Sequence, residues 1–402
     1  MLNLFFILFS MASLLMNAAF AQPGPDALWT RTYGGASDDA AYSVQETRDE
    51  GYIVAGFTMP LGADDKDFYL VKTDANGKQV WGQRYGGNDP DECYSVRQTS
   101  DGGYILGGYT YSFGAGNKDF WLVKTDANGR QLWSKTFGGG GEDECRSVQQ
   151  TSEGGYILAG TTESFGAGWH DAWIVKTDPN GKELWSRTFG GEGEDRCYSI
   201  DQTSDGGYIL GGDTSPHESG GSDFWLVKTD AKGNRLWSRT LGGENDEFFH
   251  SLQQTSDGGY ILAGFAFSWS WSGGENGILL MKTAAKGDSL WSRTFGGKRA
   301  GSYPSVRQTS DGGYILGGYT WSSGVGTPDH SNMYLVKTDG NGKQLWSKTY
   351  GGKWPDECYS VQQTSDGGYI LAGCTYSFGS GRGDIWLVKT KPQTESPSVP
   401  KK

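Results

Sequence analysis

The amino-acid sequence predicts an all-β fold, a seven-bladed β-propeller built from four-stranded antiparallel blades. The prediction depends on a segment that recurs seven times, on four strand patterns in each copy, and on unmatched strands at the two ends of the array. Four-stranded units that repeat every ~50 residues are typical of propellers. The period here is about 52 residues, and the first tryptophan marks each copy: Trp29, Trp81, Trp133, Trp185, Trp237, Trp291 and Trp346.

Each copy alternates strand patterns with turn residues. In the second copy, strands a, b and c are predicted at 94–99, 104–110 and 120–125, and strand d at 79–85 precedes them. The a–b and c–d connections read Ser-Asp-Gly-Gly and Asp-Ala-Asn-Gly, which favour hairpins because Asn and Gly accept positive φ at low cost. The strand c pattern Phe-Trp-Leu-Val is apolar on both faces, so each blade must be covered on both sides.

The two ends of the array complement each other. The chain opens with a lone strand d at 28–33 and closes after a strand c at 385–390, with no strand d behind it. We therefore predict that the first strand completes the last blade, which removes the open edge of a linear array. An open solenoid is the alternative, and it would need polar caps at both ends.

The N-terminus predicts secretion, to an extracellular or periplasmic location. Residues 2–16 are nearly all apolar, and Ala19-Phe20-Ala21 forms a cleavage site before Gln22. The domain boundaries are then a signal peptide at 1–21, the propeller at 22–390 and a Pro/Ser/Lys tail at 391–402. An uncleaved membrane anchor is the alternative, because the apolar stretch approaches the ~20 residues that span a bilayer.

Composition restricts the partners. Lys plus Arg is 35 and Asp plus Glu is 47, which gives a net charge of −12. An acidic chain argues against nucleic acid, whose phosphates need a basic face. We expect a monomer with no membrane contact after signal cleavage. Four of the five cysteines share one repeat position: Cys93, Cys145, Cys197 and Cys358. They are either small buried side chains in a repeated niche, or they form an inter-blade disulfide or a ring of thiols.

The segment from Asp126 to Trp133 resembles the D-x-x-T-G-x-x-x-W signature of quinoprotein-like (PQQ-type) propeller repeats, with an Asp-to-Gly spacing one residue shorter. The full repeat is similar to those of secreted bacterial and archaeal propeller proteins. The resemblance covers 28–390 and implies the fold. Quinoprotein dehydrogenases have eight blades, and many carry adjacent cysteines at the cofactor. This chain has seven repeats and no adjacent cysteine pair, so no cofactor is predicted.

Residues that break the repeat are the candidate binding residues, because one asymmetric site cannot be built from what every blade shares. Such residues gather in the b–c and d–a loops, which lie on one face of an up-and-down propeller; we call it the variable face. Exposed indole rings with polar neighbours suit sugar rings, although they could also close the loops by apolar contact. No catalytic residue and no metal-ligand set is predicted. The candidate ligand-binding residues are Trp169, His170, His217, Trp269, Trp271, Trp321 and His330.

The d–a loops are acidic and predict a broken negative ring around the mouth of the central channel. This ring could bind a cation, with Ca²⁺ favoured by carboxylate ligands, or act as a solvated rim that maintains solubility. The acidic positions are Asp38-Asp39, Asp91-Glu92, Glu142-Asp143-Glu144, Glu194-Asp195, Asp246-Glu247 and Asp356-Glu357.

The sequence therefore favours a secreted, non-catalytic binding module for glycans or cell-surface proteins, acting through its variable b–c loops. One alternative is a carbohydrate-active or quinoprotein-like enzyme with its site at the channel mouth. Another is a structural repeat protein within a surface assembly.

Overall fold

The computed structural model describes residues 24–60, 65–215, 221–243, 245–267, 277–296, 303–321 and 330–393. These residues form 28 β-strands and no helix. Within those ranges there is accordingly no helix long and apolar enough to cross a membrane.

The strands form seven separate four-stranded antiparallel sheets, which are the blades. In chain order the strands are β1 (Ala27–Tyr33), β2 (Asp39–Glu46), β3 (Tyr52–Thr58), β4 (Asp67–Thr73), β5 (Gln79–Tyr85), β6 (Asp91–Gln98), β7 (Tyr104–Thr110), β8 (Asp119–Thr125), β9 (Gln131–Phe137), β10 (Asp143–Gln150), β11 (Tyr156–Thr162), β12 (Asp171–Thr177), β13 (Glu183–Phe189), β14 (Glu194–Gln202), β15 (Tyr208–Ser215), β16 (Asp223–Thr229), β17 (Arg235–Leu241), β18 (Asp246–Gln254), β19 (Tyr260–Phe267), β20 (Gly277–Thr283), β21 (Ser289–Phe295), β22 (Ser305–Gln308), β23 (Tyr314–Thr320), β24 (Asn332–Thr338), β25 (Gln344–Tyr350), β26 (Asp356–Gln363), β27 (Tyr369–Thr375) and β28 (Asp384–Thr390).

The predicted closure is confirmed. Blades 1 to 6 are β2–β5, β6–β9, β10–β13, β14–β17, β18–β21 and β22–β25, each ordered a-b-c-d. Blade 7 has the order β26-β27-β28-β1, so the first strand of the chain is its outer strand d. β1 pairs antiparallel with β28, with Thr30 opposite Val388 and Tyr33 opposite Ile385. The first strand, β1, therefore completes blade 7, and the outer edge of β28 is paired.

The hydrophobic core lies between blades. One cluster joins Phe120 and Leu122 of blade 2 to Val148, Tyr156 and Trp173 of blade 3. The Phe120 and Trp173 rings are 4.7 Å apart between centroids. This arrangement explains why strand c is apolar on both faces, since each face packs on a different neighbour.

Hydrogen bonds join the blades around the whole ring. The glutamine that ends strand a accepts a bond from the a–b turn of the preceding blade; Gln150 Oε1 accepts from the Ser100 amide at 2.7 Å. The bond recurs at every junction, and at the closing junction Glu46 accepts from the Ser365 amide at 2.8 Å. On the opposite face, the Asp91 amide donates to the Lys66 carbonyl at 2.6 Å. Within the described residues this second bond recurs at six of the seven junctions, so short polar contacts fix both faces of these six.

A buried lysine in strand c fixes the a–b turn of every blade. Lys124 is 3% exposed, and its Nζ lies 3.0 Å from Oδ2 of Asp101 in the Ser-Asp-Gly-Gly turn. Burial raises the pKa of Asp101, but bonds from Thr99 and Lys124 outweigh it and lower the pKa to about 2. Every blade repeats this ion pair. The a–b turns, which lie on the face opposite the variable face, therefore vary little in sequence, since each must supply a carboxylate to a buried lysine.

The five cysteines are free thiols buried in the core. Burial raises the pKa of Cys197 to about 12 and that of Cys358 likewise. The repeated cysteine position is therefore a niche for a small apolar side chain, and the alternative of a disulfide is wrong for this structure.

The tryptophans of strand c and strand d differ in burial. The strand c residues Trp121, Trp173 and Trp386 are 2–4% exposed. Trp133 of strand d is only half-buried, with its ring edge-on to Tyr156 at 5.9 Å. Strand d is the outer edge of a blade, so one side of its indole faces solvent. Trp346 is the exception, at 2% exposure.

This difference predicts unequal costs of truncation. Trp121→Ala should lower the free energy of unfolding by ~3–5 kcal/mol, because it leaves a large cavity between blades 1 and 2. Trp133→Ala should cost clearly less, since part of its indole is already solvated. Denaturant unfolding of both variants measures the two values. Equal losses would contradict the burial difference.

Deleting residues 28–33 should abolish cooperative unfolding, because it exposes the outer edge of β28 and leaves blade 7 with three strands. Thermal unfolding followed by near-UV circular dichroism measures this. A deletion of the tail at 394–402 is the matched control and should keep the wild-type transition. A sharp, wild-type-like transition after loss of 28–33 would show that closure does not support the fold.

Candidate functional site

The seven inner strands enclose a central channel. Strand a of each blade contacts strand a of the next around the whole ring. Together they line a cavity of about 550 Å³, to which all seven blades contribute. Cavities of this size accommodate small ligands or part of a larger one.

A β-bulge near the start of strand a turns one side chain into the channel. In blade 2 the register with strand b shifts between Cys93 and Ser95, so Tyr94 is an extra residue. The same shift occurs in blades 1, 3, 4, 5 and 7. Bulges re-aim side chains in this way. In blade 6 the residue at the bulge position is Pro304, and the ring that lines the channel belongs instead to the preceding Tyr303, whose backbone is left-handed with φ of 68°.

The bulge residues form a closed ring near the variable face, which we call the bulge ring. Tyr42 lies between Tyr94 and Tyr359, at centroid distances of 4.9 and 5.3 Å. Across the channel, His250 lies 4.6 Å from Tyr303. Each member contacts the next, and the seven are Tyr42, Tyr94, Arg146, Tyr198, His250, Tyr303 and Tyr359.

Two members break the tyrosine pattern. The guanidinium of Arg146 lies over Tyr94, 4.0 Å from its centroid, and is held by Glu144 at 2.6 Å. Burial, together with the nearby Arg146 charge, lowers the pKa of His250 to about 3. The ring therefore presents one fixed positive charge and a neutral imidazole among tyrosine faces.

A second set of channel residues lies three positions beyond the bulge position of each strand a, which is Pro304 in blade 6, and ~10 Å deeper toward the a–b turns. We call it the lower ring, and it comprises Gln45, Arg97, Gln149, Asp201, Gln253, Arg307 and Gln362. Gln45 accepts a bond from the Gln98 amide of the next blade at 2.7 Å. Asp201 does the same for the Gln254 amide at 3.1 Å. The lower ring thus lines the channel and joins neighbouring strands.

Sequence reasoning missed most of these residues. The candidate binding residues were selected from the loops, where they break the repeat. The signal was present within strand a, where Arg146 and His250 replace tyrosine, and where Arg97, Asp201 and Arg307 replace glutamine. On a regular strand, side chains three positions apart point to opposite faces. Without the bulge, the two sets of residues could therefore not both face the channel.

The predicted residues of blade 3 lie at the variable face. Trp169 is 70% exposed. His170 beside it is half-buried, and its Nε2 lies 2.9 Å from Oε1 of Glu163 in the same loop. Its Nδ1 is buried without a hydrogen-bond partner among the described residues.

Blade 6 supplies a second aromatic site at this face. The His330 ring lies 5.3 Å from that of Trp354, a residue of the following d–a loop that the sequence analysis did not select. Trp354 is 48% exposed, and the Lys353 ammonium lies 5.0 Å from its centroid. Trp321 is half-buried after β23. The remaining predicted residues, His217, Trp269 and Trp271, lie outside the described residues.

The acidic loops differ from the predicted solvated rim. Asp143 is fully buried, and its Oδ2 accepts bonds from the Gly139 amide at 2.9 Å and the Ser164 hydroxyl at 2.6 Å. Each acidic stretch has a buried carboxylate that accepts a loop amide in this way: Asp39, Asp91, Asp143, Asp195, Glu247 and Asp356. These carboxylates hold the loops. Across the described ranges, no group of three or more His, Cys, Asp or Glu is placed to hold a metal ion.

Asp213 is a buried carboxyl close to the bulge ring. It replaces the aromatic or small residue of other blades in strand b and accepts a bond from Ser222 at 3.3 Å. Burial raises its pKa to about 7, although the Arg196 charge opposes the shift. The folded protein therefore holds this proton more tightly than the unfolded chain, whose aspartate titrates near pH ~4.

The stability contribution of Asp213 should consequently fall as pH rises from ~4 to ~7, because the folded state must either keep a proton or bury a charge. Asp213→Asn should be more stable than wild type by about 1–3 kcal/mol at pH 8. At pH 4 the difference should shrink. Denaturant unfolding of both proteins between pH 4 and 8 measures it. Parallel pH profiles would contradict the raised pKa.

Comparison with known proteins shows the fold alone. No protein-family model matches the chain, and no curated protein matches it. The Pan2 WD40 domain of Neurospora crassa has a TM-score of 0.52 at 10% identity, with 88% of this chain and 90% of that chain covered. A protein of unknown function from Dyadobacter fermentans has a TM-score of 0.51 at 11% identity, covering 92% and 100%.

PorZ, a surface component of the type-IX secretion system of Porphyromonas gingivalis, has a TM-score of 0.52 at 10% identity. The match covers 91% of this chain and 48% of PorZ. The chain is thus similar in fold to propellers from several different kinds of protein. The resemblance to PQQ-type repeats stays a prediction.

Proposed function

We propose that the protein is a secreted, non-catalytic binding module that recognises a glycan at the variable face, over the mouth of the central channel. The observation that carries the proposal is the bulge ring, a closed set of tyrosines interrupted by Arg146 and His250. It combines flat aromatic faces with hydroxyl and guanidinium groups in one concave site.

This combination suits a carbohydrate. A sugar ring offers C–H faces that pack on aromatic rings and hydroxyls that need hydrogen-bond partners, and tyrosine provides both kinds of contact. A channel of this size admits an oligosaccharide end or an extended chain, whereas a folded protein surface cannot enter it. Tyr303, at 49% exposure, is the member of the ring most open to an incoming ligand.

The exposed aromatics of the variable face extend the same chemistry outward. Trp169 lies beside the His170–Glu163 pair, and Trp354 lies between His330 and Lys353. Each therefore has polar or charged neighbours beside an exposed apolar ring. Such sites favour sugars that stack on an indole while their hydroxyls bond to the side chains around it.

Two further features support a rigid, non-catalytic scaffold. The buried loop carboxylates already accept backbone and hydroxyl bonds that hold the d–a loops, as Asp143 does. The apolar leader at 2–16 supports export.

A glycan array probed with residues 22–402 tests the proposal. Trp169→Ser/Trp354→Ser should lose at least about ten-fold in affinity for the best glycan, because each stacking ring is worth ~1 kcal/mol or more. Tyr94→Ser should weaken binding in addition, since it opens the bulge ring. A Trp269→Ser/Trp271→Ser variant extends the test to the blade 5 loop.

Leu132→Ser is the matched control. Leu132 is 50% exposed, but it lies on an outer strand d close to the c–d turn rather than on the variable face. This variant should bind as wild type does. Binding that the tryptophan and tyrosine variants retain would displace the site from this face. Absence of any glycan binding would overturn the proposal and favour a protein partner.

A further inference from the structure

We infer that the lower ring contains an oxyanion-binding site formed by Arg97 and Arg307, for a carboxylate, sulfate or phosphate group inside the channel. The site lies below the bulge ring and does not depend on glycan recognition. Its three charged members come from different blades: Arg97 from blade 2, Asp201 from blade 4 and Arg307 from blade 6.

The two guanidiniums are short of counter-charge. Arg97 donates to the Val96 carbonyl at 2.8 Å. Arg307 donates to the Val306 carbonyl at 2.6 Å and to the Ser251 hydroxyl at 3.3 Å. Among the residues that the structure describes, neither forms a salt bridge. Other arginines do, as Arg196 does with Glu194 at 2.9 Å.

The nearest acid does not balance the two charges. Asp201 faces the same channel, but its Oδ1 accepts from Gln149 at 2.9 Å and its Oδ2 from the Gln254 amide at 3.1 Å. The lower ring therefore carries two positive charges and one negative charge inside a chain of net charge −12. Burial and repulsion from Arg307 lower the pKa of Arg97 to about 10.

The arginines also replace a structural residue. In four of the other five blades this position is a glutamine whose side-chain oxygen accepts an amide of the next blade, as Gln45 does for Gln98, and in blade 4 Asp201 accepts the equivalent bond. Arginine carries no acceptor, so positions 97 and 307 cannot make that bond. Two blades thus give up an inter-blade hydrogen bond to place cations in the channel, a pattern typical of function rather than of packing.

Guanidinium groups match the geometry of oxyanions. Arginine presents paired N–H donors that bind carboxylate, sulfate or phosphate oxygens in parallel, and such bonds are about twice as strong as neutral ones. The surrounding Gln45, Gln149, Gln253 and Gln362 supply amide groups at the same depth. The occupant is either a small free anion or the acidic group of a ligand that enters through the bulge ring.

Isothermal titration of the full propeller with inorganic sulfate, inorganic phosphate and acetate tests the site. At least one of them should bind the wild-type protein. Arg97→Gln and Arg307→Gln should each weaken that binding about ten-fold or more, because each removes a charge-assisted hydrogen bond. Asp201→Gln should tighten it several-fold, since it removes the one opposing charge. These opposite signs distinguish an anion site from a merely structural role.

Glutamine is the residue that the repeat itself uses at this position, so all three variants should fold. Arg130→Gln is the matched control, because Arg130 is 80% exposed on a turn of blade 2; it should bind as wild type does. Sulfate stabilises proteins generally by exclusion from their surface. Melting shifts are therefore compared between wild type and Arg97→Gln/Arg307→Gln, and wild type should gain more.

The ligand source is decided by comparing glucuronate with acetate. If glucuronate binds more tightly and Tyr94→Ser removes the difference, the site holds the acidic group of a sugar. If sulfate or phosphate binds best and Tyr94→Ser has no effect, the site holds a free anion. No binding of any probe by wild type, or binding unchanged in both arginine variants, would overturn the inference without bearing on neutral glycans.

Discussion

Closure of the ring is the constraint on which the rest of the structure depends. β1 must pair with β28 for seven equal blades to surround one axis, and each blade must then cover the next. The seven inner strands consequently meet around a channel that is lined by their side chains. Glycine is required where the bulge of strand a crowds strand b of the same blade; a carbon on Gly108 would lie 2.0 Å from the Glu92 carbonyl oxygen.

The same closure separates structural from variable positions. A residue needed at every junction, such as the buried lysine of strand c or the glutamine that ends strand a, is repeated because each junction poses the same physical problem. Residues inside the channel border its open space as well as the neighbouring blade. They can therefore depart from the repeat at small cost to packing, and Arg146, His250 and Asp201 do so.

How far the site could be predicted follows from this division. The variable face was predicted from loop composition, and Trp169 and His170 lie there. The residues that line the channel were not predicted, because the lining is assembled from residues ~50 positions apart whose side chains are aimed by a bulge. The acidic loops were misjudged for a related reason: a carboxylate such as Asp143 is buried by loop amides that composition does not show.

The sequence by itself determined the number of blades, the strand order within them and the closing strand, because repeat spacing, turn residues and strand alternation are local properties of the chain. Only the tertiary structure decided which side chains meet. It turned Tyr94 and Arg146 into the channel and placed Arg97, Asp201 and Arg307 at one depth. The physical reason is that charge balance and ring contacts depend on three-dimensional distance, which closure sets and sequence separation conceals.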